Sequence, residues 1–167
     1  PQRIDVYQFH IPDQAVSFEA SMETLDRLQV QGKIRHIGLS NVTIEHVERA
    51  RKIVPIVSVQ NRYGFADREW DYLLNHCERN GIVFIPWAPL GQVRFANEAL
   101  EKAARELNAS PMQVALAWLL KRAKNILPIP GTSSIAHLEE NVAAASVQLP
   151  QELFDELSAV THSAKSL

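Results

Sequence analysis

The sequence predicts an α/β protein built on a parallel sheet, and three observations carry that prediction. Apolar runs of strand length recur along the chain: IDVYQF, IRHIGLS, IVSVQN, IVFIPW and NILPIP. The stretches between them repeat their apolar residues at three and four, which is the helical period. The runs are apolar on both faces, so helices must cover both, as they do where parallel strands are joined by helical crossovers. An open doubly wound sheet and a closed barrel both satisfy this pattern.

Each element has its own local reasons. IDVYQF is rich in strand formers, and it stops at His10 because the Pro12-Asp13 that follows cannot continue a ladder. IRHIGLS closes on Ser40, with Asn41 next, and IVSVQN closes on Gln60 and Asn61. From Asp67, a helix is expected with Trp70, Leu73, Leu74 and Cys77 on one face, and Gly81 supplies its left-handed stop. Cys77 is therefore read as a core residue, not a nucleophile. IVFIPW ends on Trp87, and two helices follow it: ANEALEKAARELN and a longer one that opens SPMQ. In the longer helix Ser110 can cap, Pro111 is preset for the first turn and Gln113 can complete a capping box. NILPIP is the fifth expected strand, with Gly131, Thr132 and Ser133 just beyond it. A last helix has Pro150 in its first turn and Leu153, Phe154 and Leu157 on one side, outside the alternating pattern.

With 167 residues and no linker or low-complexity stretch, one domain over residues 1–167 is the expectation. The chain is 46% hydrophobic and 22% charged with a net charge of −2, which argues against disorder and against attraction to nucleic acid or an anionic membrane. A single cysteine cannot make an internal disulfide, and no signal peptide or bilayer-length apolar run is visible. A cytoplasmic location fits these features. The terminal KSL is not the SKL peroxisomal signal.

In either architecture, ligands bind where the carboxyl ends of the strands meet the helix amino termini. Those ends are polar although the strand bodies are not: His10, Ser40 and Asn41, Gln60 and Asn61, Trp87, then Gly131, Thr132 and Ser133. Any one of these residues could simply begin a loop. Five polar ends on one edge describe a site lined with hydrogen-bonding groups and one aromatic plate. A hydrolase reading fails for want of G-x-S-x-G, and one cysteine with dispersed histidines gives no metal-ligand spacing.

IDVYQFHIPD, GKIRHIGLSNV, SVQNRYG, IPWAPLG, SPMQVALAWLL and PIPGTSSIAHLEENV, in that order, make the chain resemble the carboxyl-terminal part of an aldo-keto reductase. The resemblance implies a TIM (β/α)8 barrel, here an incomplete one covering strands 4 to 8. It implies NAD(P)H-dependent reduction of aldehydes or ketones, without a metal. His10 matches the catalytic histidine that hydrogen-bonds the substrate carbonyl oxygen. Ser40, Asn41 and Gln60 match residues that hold the nicotinamide carboxamide, and Trp87 matches the aromatic that stacks on the nicotinamide ring. Leu90 and Gly91 match backbone contacts to the pyrophosphate, which Gln92 to Phe95 would cover. Gly131, Thr132 and Ser133 match a phosphate site at a helix start, and Glu140 and Asn141 match adenine contacts. Gly131 and His137 stand where better-known members often carry a lysine and an arginine around the 2′-phosphate. NADP(H) is expected over NAD(H), with weaker charge assistance than an arginine fork gives.

The family's catalytic Tyr, Lys and Asp fall before the matched region, so these residues alone are not expected to reduce a carbonyl at an appreciable rate. Tyr63 follows a strand end, but nothing in the sequence places it at the reach a general acid needs. The start at Pro1 favours an excised piece of a longer chain. Open sheet edges invite self-association or the missing amino-terminal strands. The runner-up expectation is a non-catalytic cofactor-binding or regulatory barrel fragment that needs a partner.

Overall fold

The computed structural model describes residues 3–91 and 98–160. Four strands form one sheet in the order β1-β2-β3-β4: β1 Ile4–Phe9, β2 Ile34–Ser40, β3 Ile56–Arg62 and β4 Val83–Trp87. β1 pairs in parallel with β2, and β2 in parallel with β3. Among the described residues the helices are α1 Phe18–Val30, α2 Ile44–Arg51, α3 Asp71–Arg79, α4 Glu98–Glu106, α5 Pro111–Arg122, α6 Ile135–Ala143 and α7 Gln151–Ala159. The first four expected strands are thus present, each within a residue of its predicted bounds.

NILPIP is a correction. Only Ile126 makes a bridge, and the rest of the run is irregular. Pro128 and Pro130 lack N–H groups, and at a spacing of two they remove donors from the same side of the run. The helix expected from Asp67 also starts later, at Asp71. Gly64 and Asp67 instead exchange main-chain hydrogen bonds of 2.9 and 3.1 Å in a small antiparallel bridge. Gly81 does take a left-handed φ of 66° after α3. Pro150 caps α7 rather than lying in its first turn.

The chain forms two compact units, one from Pro1–Asn61 with Trp70–Ile85, the other from Arg62–Glu69 with Pro86–Leu167. In the first unit, α1 is capped by Ser17 and α2 by Thr43, and Met22, Leu25, Val47 and Ala50 from these helices are buried along with Ile37, Leu39 and Val59 of the sheet. Phe18 packs edge-on against Phe9 and His46, with ring centroids 6.0 and 5.1 Å apart. Glu19 on α1 meets Arg49 on α2 at 2.7 Å. Leu73, Leu74 and Cys77 of α3 are buried, and burial pushes the Cys77 thiol up to about 12, against a smaller opposite pull from Arg51. This agrees with a core cysteine and leaves no thiolate to react. β1 is one edge of the described sheet, and its Ile4 and Val6 are each 48% accessible.

The second unit is organised around Trp118, Phe65 and the buried faces of α4, α5 and α7. Arg68 lies with its guanidinium 4.3 Å from the Trp118 ring centre and 5.2 Å from that of Phe65. It donates to the carbonyls of Phe65, Leu157 and Ser158 at 3.0, 3.0 and 2.7 Å. The last two belong to the final turn of α7, where a cation offsets the negative end of the helix dipole. The Trp118 indole donates to the Ser158 hydroxyl at 2.9 Å. α5 has its expected capping box, with Ser110 accepting from the Gln113 N–H and the Gln113 side chain accepting from the Ser110 N–H. No helix among the described residues is long and apolar enough to cross a membrane.

Two expected outcomes follow. The hydrogen bond from Arg49 is the main cause holding Glu19 down to about 2, below its ordinary 4.5. A depressed carboxylate stabilises the fold above its unfolded value, and that contribution is lost as pH falls from about 4.5 towards 2. Glu19→Gln therefore flattens this acid limb in unfolding curves taken between pH 2 and 6, and an unchanged limb would contradict the assignment. Arg68→Leu lowers stability by about 2–4 kcal/mol in chemical denaturation, because the carbonyls at the end of α7 lose a charged donor. A loss within error of zero would remove Arg68 from its bracing role.

Candidate functional site

The first unit sets two polar tiers on one face of its sheet. Gln8, Gly38 and Ser58 are lateral neighbours in β1, β2 and β3. Two residues further along, Ser40 and Gln60 share that face by the strand's period of two, and His10 follows directly on the end of β1. Ser40 is paired directly with Gln60. That pairing depends on a shift of register, since Ile37 faces Ile56 but Gly38 faces Ser58, leaving Val57 as the extra residue of a bulge. In an unshifted ladder Ser40 would face Val59, and Gln60 would stand beside Asn41. The bulge re-aims the end of β3.

Asn41 fastens the strand tips together. Its backbone takes a left-handed φ of 54°, which asparagine tolerates better than most residues. Its side-chain amide donates to the His10 carbonyl and to the Ser40 hydroxyl, both at 3.1 Å, and its main-chain N–H donates to the Gln60 carbonyl at 3.0 Å. Buried Asn61 closes the turn behind it. The Asn61 amide oxygen accepts from the Val42 N–H at 3.1 Å, and the amide nitrogen donates to the Val42 carbonyl at 2.9 Å. His10 is exposed, Ser40 is buried, and Asn41 and Gln60 are half-buried. Four predicted residues are therefore gathered at one place: His10, Ser40, Asn41 and Gln60.

The second unit holds the remaining predicted residues in two groups. Trp87 is half-buried, and its carbonyl accepts from the Tyr63 N–H at 3.3 Å. The Arg62 guanidinium lies 5.8 Å from the Trp87 ring centre and is itself held by Asp67 at 3.0 Å. Ala88 turns left-handed with a φ of 51°, and the Gly91 N–H returns to the Ala88 carbonyl at 2.9 Å, with Leu90 between them half-buried. Gln92 to Phe95 lie outside the described residues. Tyr63 is fully buried, as a core side chain is, and Tyr7 lies on the opposite face of β1 from Gln8.

The other group surrounds the start of α6. Gly131, Thr132, Ser133 and His137 are exposed, and a side chain at Gly131 would meet nothing within 4 Å. The helix cap is Ser134, which the sequence reading passed over; it accepts from the His137 N–H at 3.4 Å, while its own N–H donates to the Thr132 hydroxyl at 3.1 Å. The Glu140 carboxylate accepts a short hydrogen bond from Ser110, and the Glu140 carbonyl accepts from the Gln113 side chain at 3.2 Å. Glu140 therefore ties α6 to α5, while its neighbour Asn141 is half-buried. No group of three or more His, Cys, Asp or Glu side chains among the described residues is placed to hold a metal ion.

Sequence reading missed Gln8, Gly38, Ser58 and Arg62, and it took Asn61 only as a polar strand end. The available signal was polarity at the parity of His10 inside runs that are otherwise apolar.

Parallel strands joined through helices define an α/β domain, the class in which ligands bind at the carboxyl ends of the strands. The model of the aldo/keto reductase family matches residues 2–162, and the chain belongs to that family. Among curated relatives, the pyridoxine 4-dehydrogenase of Escherichia coli is 48% identical over 146 residues, covering 87% of this chain and 51% of the relative. An uncharacterized oxidoreductase of Schizosaccharomyces pombe is 40% identical over 158 residues, covering 93% of this chain and 52% of the relative. The chain thus spans about half the length of the curated relatives it matches. Among solved structures, the thermostable aldo-keto reductase Tm1743 in complex with the inhibitor epalrestat superposes with a TM-score of 0.87 at 31% identity, covering 94% of this chain and 60% of that one. A Gox0644 mutant in complex with NADPH superposes with a TM-score of 0.82 at 27% identity, covering 93% of this chain and 58% of that one.

Asn41 combines a left-handed backbone with a bond that spans two strand ends. Asn41→Ala is expected to destabilise by about 1–3 kcal/mol, the sum of αL strain and a lost hydrogen bond. Asn41→Gly removes the strain but not the loss of the amide, so it should fall between wild type and alanine in urea unfolding. Equal losses for the two variants would mean that the backbone conformation contributes nothing.

Proposed function

We propose that this chain supplies the substrate-facing histidine and most of the cofactor site of a NAD(P)H-dependent carbonyl reductase, whose (β/α)8 barrel is completed by strands outside these residues. The observation that carries the reading is the pairing of Ser40 with Gln60 at the strand tips, with His10 just past the end of β1 and Asn41 bonded to all three. Exposed Ile4 and Val6 on the edge strand β1 support a sheet that continues past β1. The NADPH in the Gox0644 complex and the dehydrogenase activity named for the Escherichia coli relative point the same way.

Taken unit by unit, the residue types present suit the separate parts of a nicotinamide dinucleotide. A carboxamide needs one acceptor and two donors satisfied, and amides with a hydroxyl at the strand tips provide complementary groups. Half-buried Trp87 offers an indole face for stacking. Free space over Gly131, exposed hydroxyls at Thr132 and Ser133 and the start of α6 suit a phosphate. His137 stands in the same loop-helix junction and gives the 2′-phosphate a partner, so NADP(H) is the favoured form.

When bound, the reduced cofactor supplies a hydride to the carbonyl carbon. His10 holds the carbonyl oxygen through an imidazole N–H and polarises the bond as negative charge grows there. The proton that completes the alcohol comes from a group outside this chain. Ser40, Asn41 and Gln60 orient the carboxamide and with it the ring. A cytoplasmic setting suits the single buried thiol.

In the complete protein, His10→Ala lowers kcat/KM for 4-nitrobenzaldehyde by about 10²–10³ while the NADPH Kd, read by fluorescence titration, is almost unchanged. Unaltered turnover in that variant would overturn the role of His10. Tenfold better kcat/KM with NADH than with NADPH would overturn the cofactor preference.

A further inference from the structure

We infer that Gln8 is a positioning residue whose carboxamide, crossing over Gly38 to join β1 to β3, selects the register that brings Gln60 beside Ser40 and His10. The inference rests on the reading of that face as the nicotinamide and substrate site.

Gln8 shares its face of β1 with Ile4 and Val6, both apolar, and both ends of its amide are engaged. The Nε2 donates to the Leu39 carbonyl at 2.5 Å, and the Oε1 accepts from the Ser58 hydroxyl at 3.1 Å. The orientation is determined by chemistry, because a flipped amide would set its oxygen against the Leu39 carbonyl, acceptor against acceptor. The side chain can reach β3 only because β2 presents no side chain between them. A Cβ at Gly38 would overlap both the Gln8 amide and the Ser58 hydroxyl.

Such a tier is not needed for cohesion. A satisfied polar pair in a sheet adds little over apolar side chains of the same volume, whereas a pair that loses one partner carries a penalty. It does discriminate between registers. With the bulge at Val57, Ser58 faces the Gln8 side of the sheet; without it, Ser58 would sit opposite Leu39 and point to the other face. Gln8 would then lose its acceptor's partner, and Gln60 would move away from Ser40. One hydrogen bond, made a residue pair below the site, thus reports and holds the arrangement of the site above it.

The complete protein is first characterised for NADPH binding and for reduction of 4-nitrobenzaldehyde, and then compared with Gln8→Met, Ser58→Ala and the double variant. Methionine keeps length and removes both polar ends. For Gln8→Met, kcat is expected to fall about tenfold while the NADPH Kd stays within about threefold, since misplacement of reacting groups acts on the chemical step. The primary isotope effect with 4-deuterated NADPH should rise as hydride transfer becomes slower. Ser58→Ala should lose part of the same kcat, and the double variant should be no worse than Gln8→Met. In the cofactor-free protein, the Tm shifts of the two single variants should fail to add. If Gln8→Met does not fold, Ser58→Ala, which removes only a hydroxyl, carries the kcat and Kd comparison. A wild type that neither binds NADPH nor turns over overturns the functional reading and this inference with it. An active wild type matched by an equally active Gln8→Met, or losses that simply add, overturns this inference alone.

Discussion

Gly38 is the constraint on which the strand-tip arrangement rests, because a position without a side chain in the middle strand lets the two flanking strands communicate across it. Gln8 and Ser58 meet over that gap, and their contact is compatible with only one ladder between β2 and β3. Once the ladder is set, the period of two delivers Ser40 and Gln60 to the same side. Asn41 then has its three partners within reach, and Asn61 is free to clamp the turn that follows. The chain of dependence runs from an absent side chain, through register, to the placing of donors and acceptors.

The second unit uses a different kind of brace. Arg68 spreads a planar cation over two aromatic rings and delivers its N–H groups to carbonyls, including two at the end of α7. A lysine could supply the charge but not the fork or the flat stacking surface. Ser110 plays a comparable double part, accepting from the first turn of α5 and donating to Glu140 on α6. Half-buried polar residues thus brace helices that the apolar pattern alone would leave free to slide.

Much of the fold was legible in the sequence because four runs carry strong strand chemistry and end in polar residues that cannot propagate a ladder. NILPIP misled because its apolar residues have the right composition while its prolines lack the donors that a strand needs. The start of α3 misled because Asp67, a good helix opener, is engaged elsewhere by the main chain of Gly64 and the side chain of Arg62. At the candidate site, the tip residues were visible one strand at a time. Gln8, Gly38 and Ser58 were not, since each is unremarkable alone, and only a register containing an extra residue makes them neighbours. The bond between Glu140 and Ser110 was equally hidden, because nothing local says that two residues so distant in sequence will touch.

α6 has no buried residue, and Ile135, Leu138 and Val142 are turned outward at 77%, 53% and 67% accessibility. A nine-residue helix is too short to persist on propensity, so it survives on its Ser134 cap and its ties to α5. With so little apolar burial, its amide hydrogens are expected to exchange with solvent ahead of those in the core strands. The segment proposed for the adenine end of the nucleotide thereby has order to gain. An anion seated at its amino terminus would be registered less as movement than as a slowing of the deuterium clock along α6.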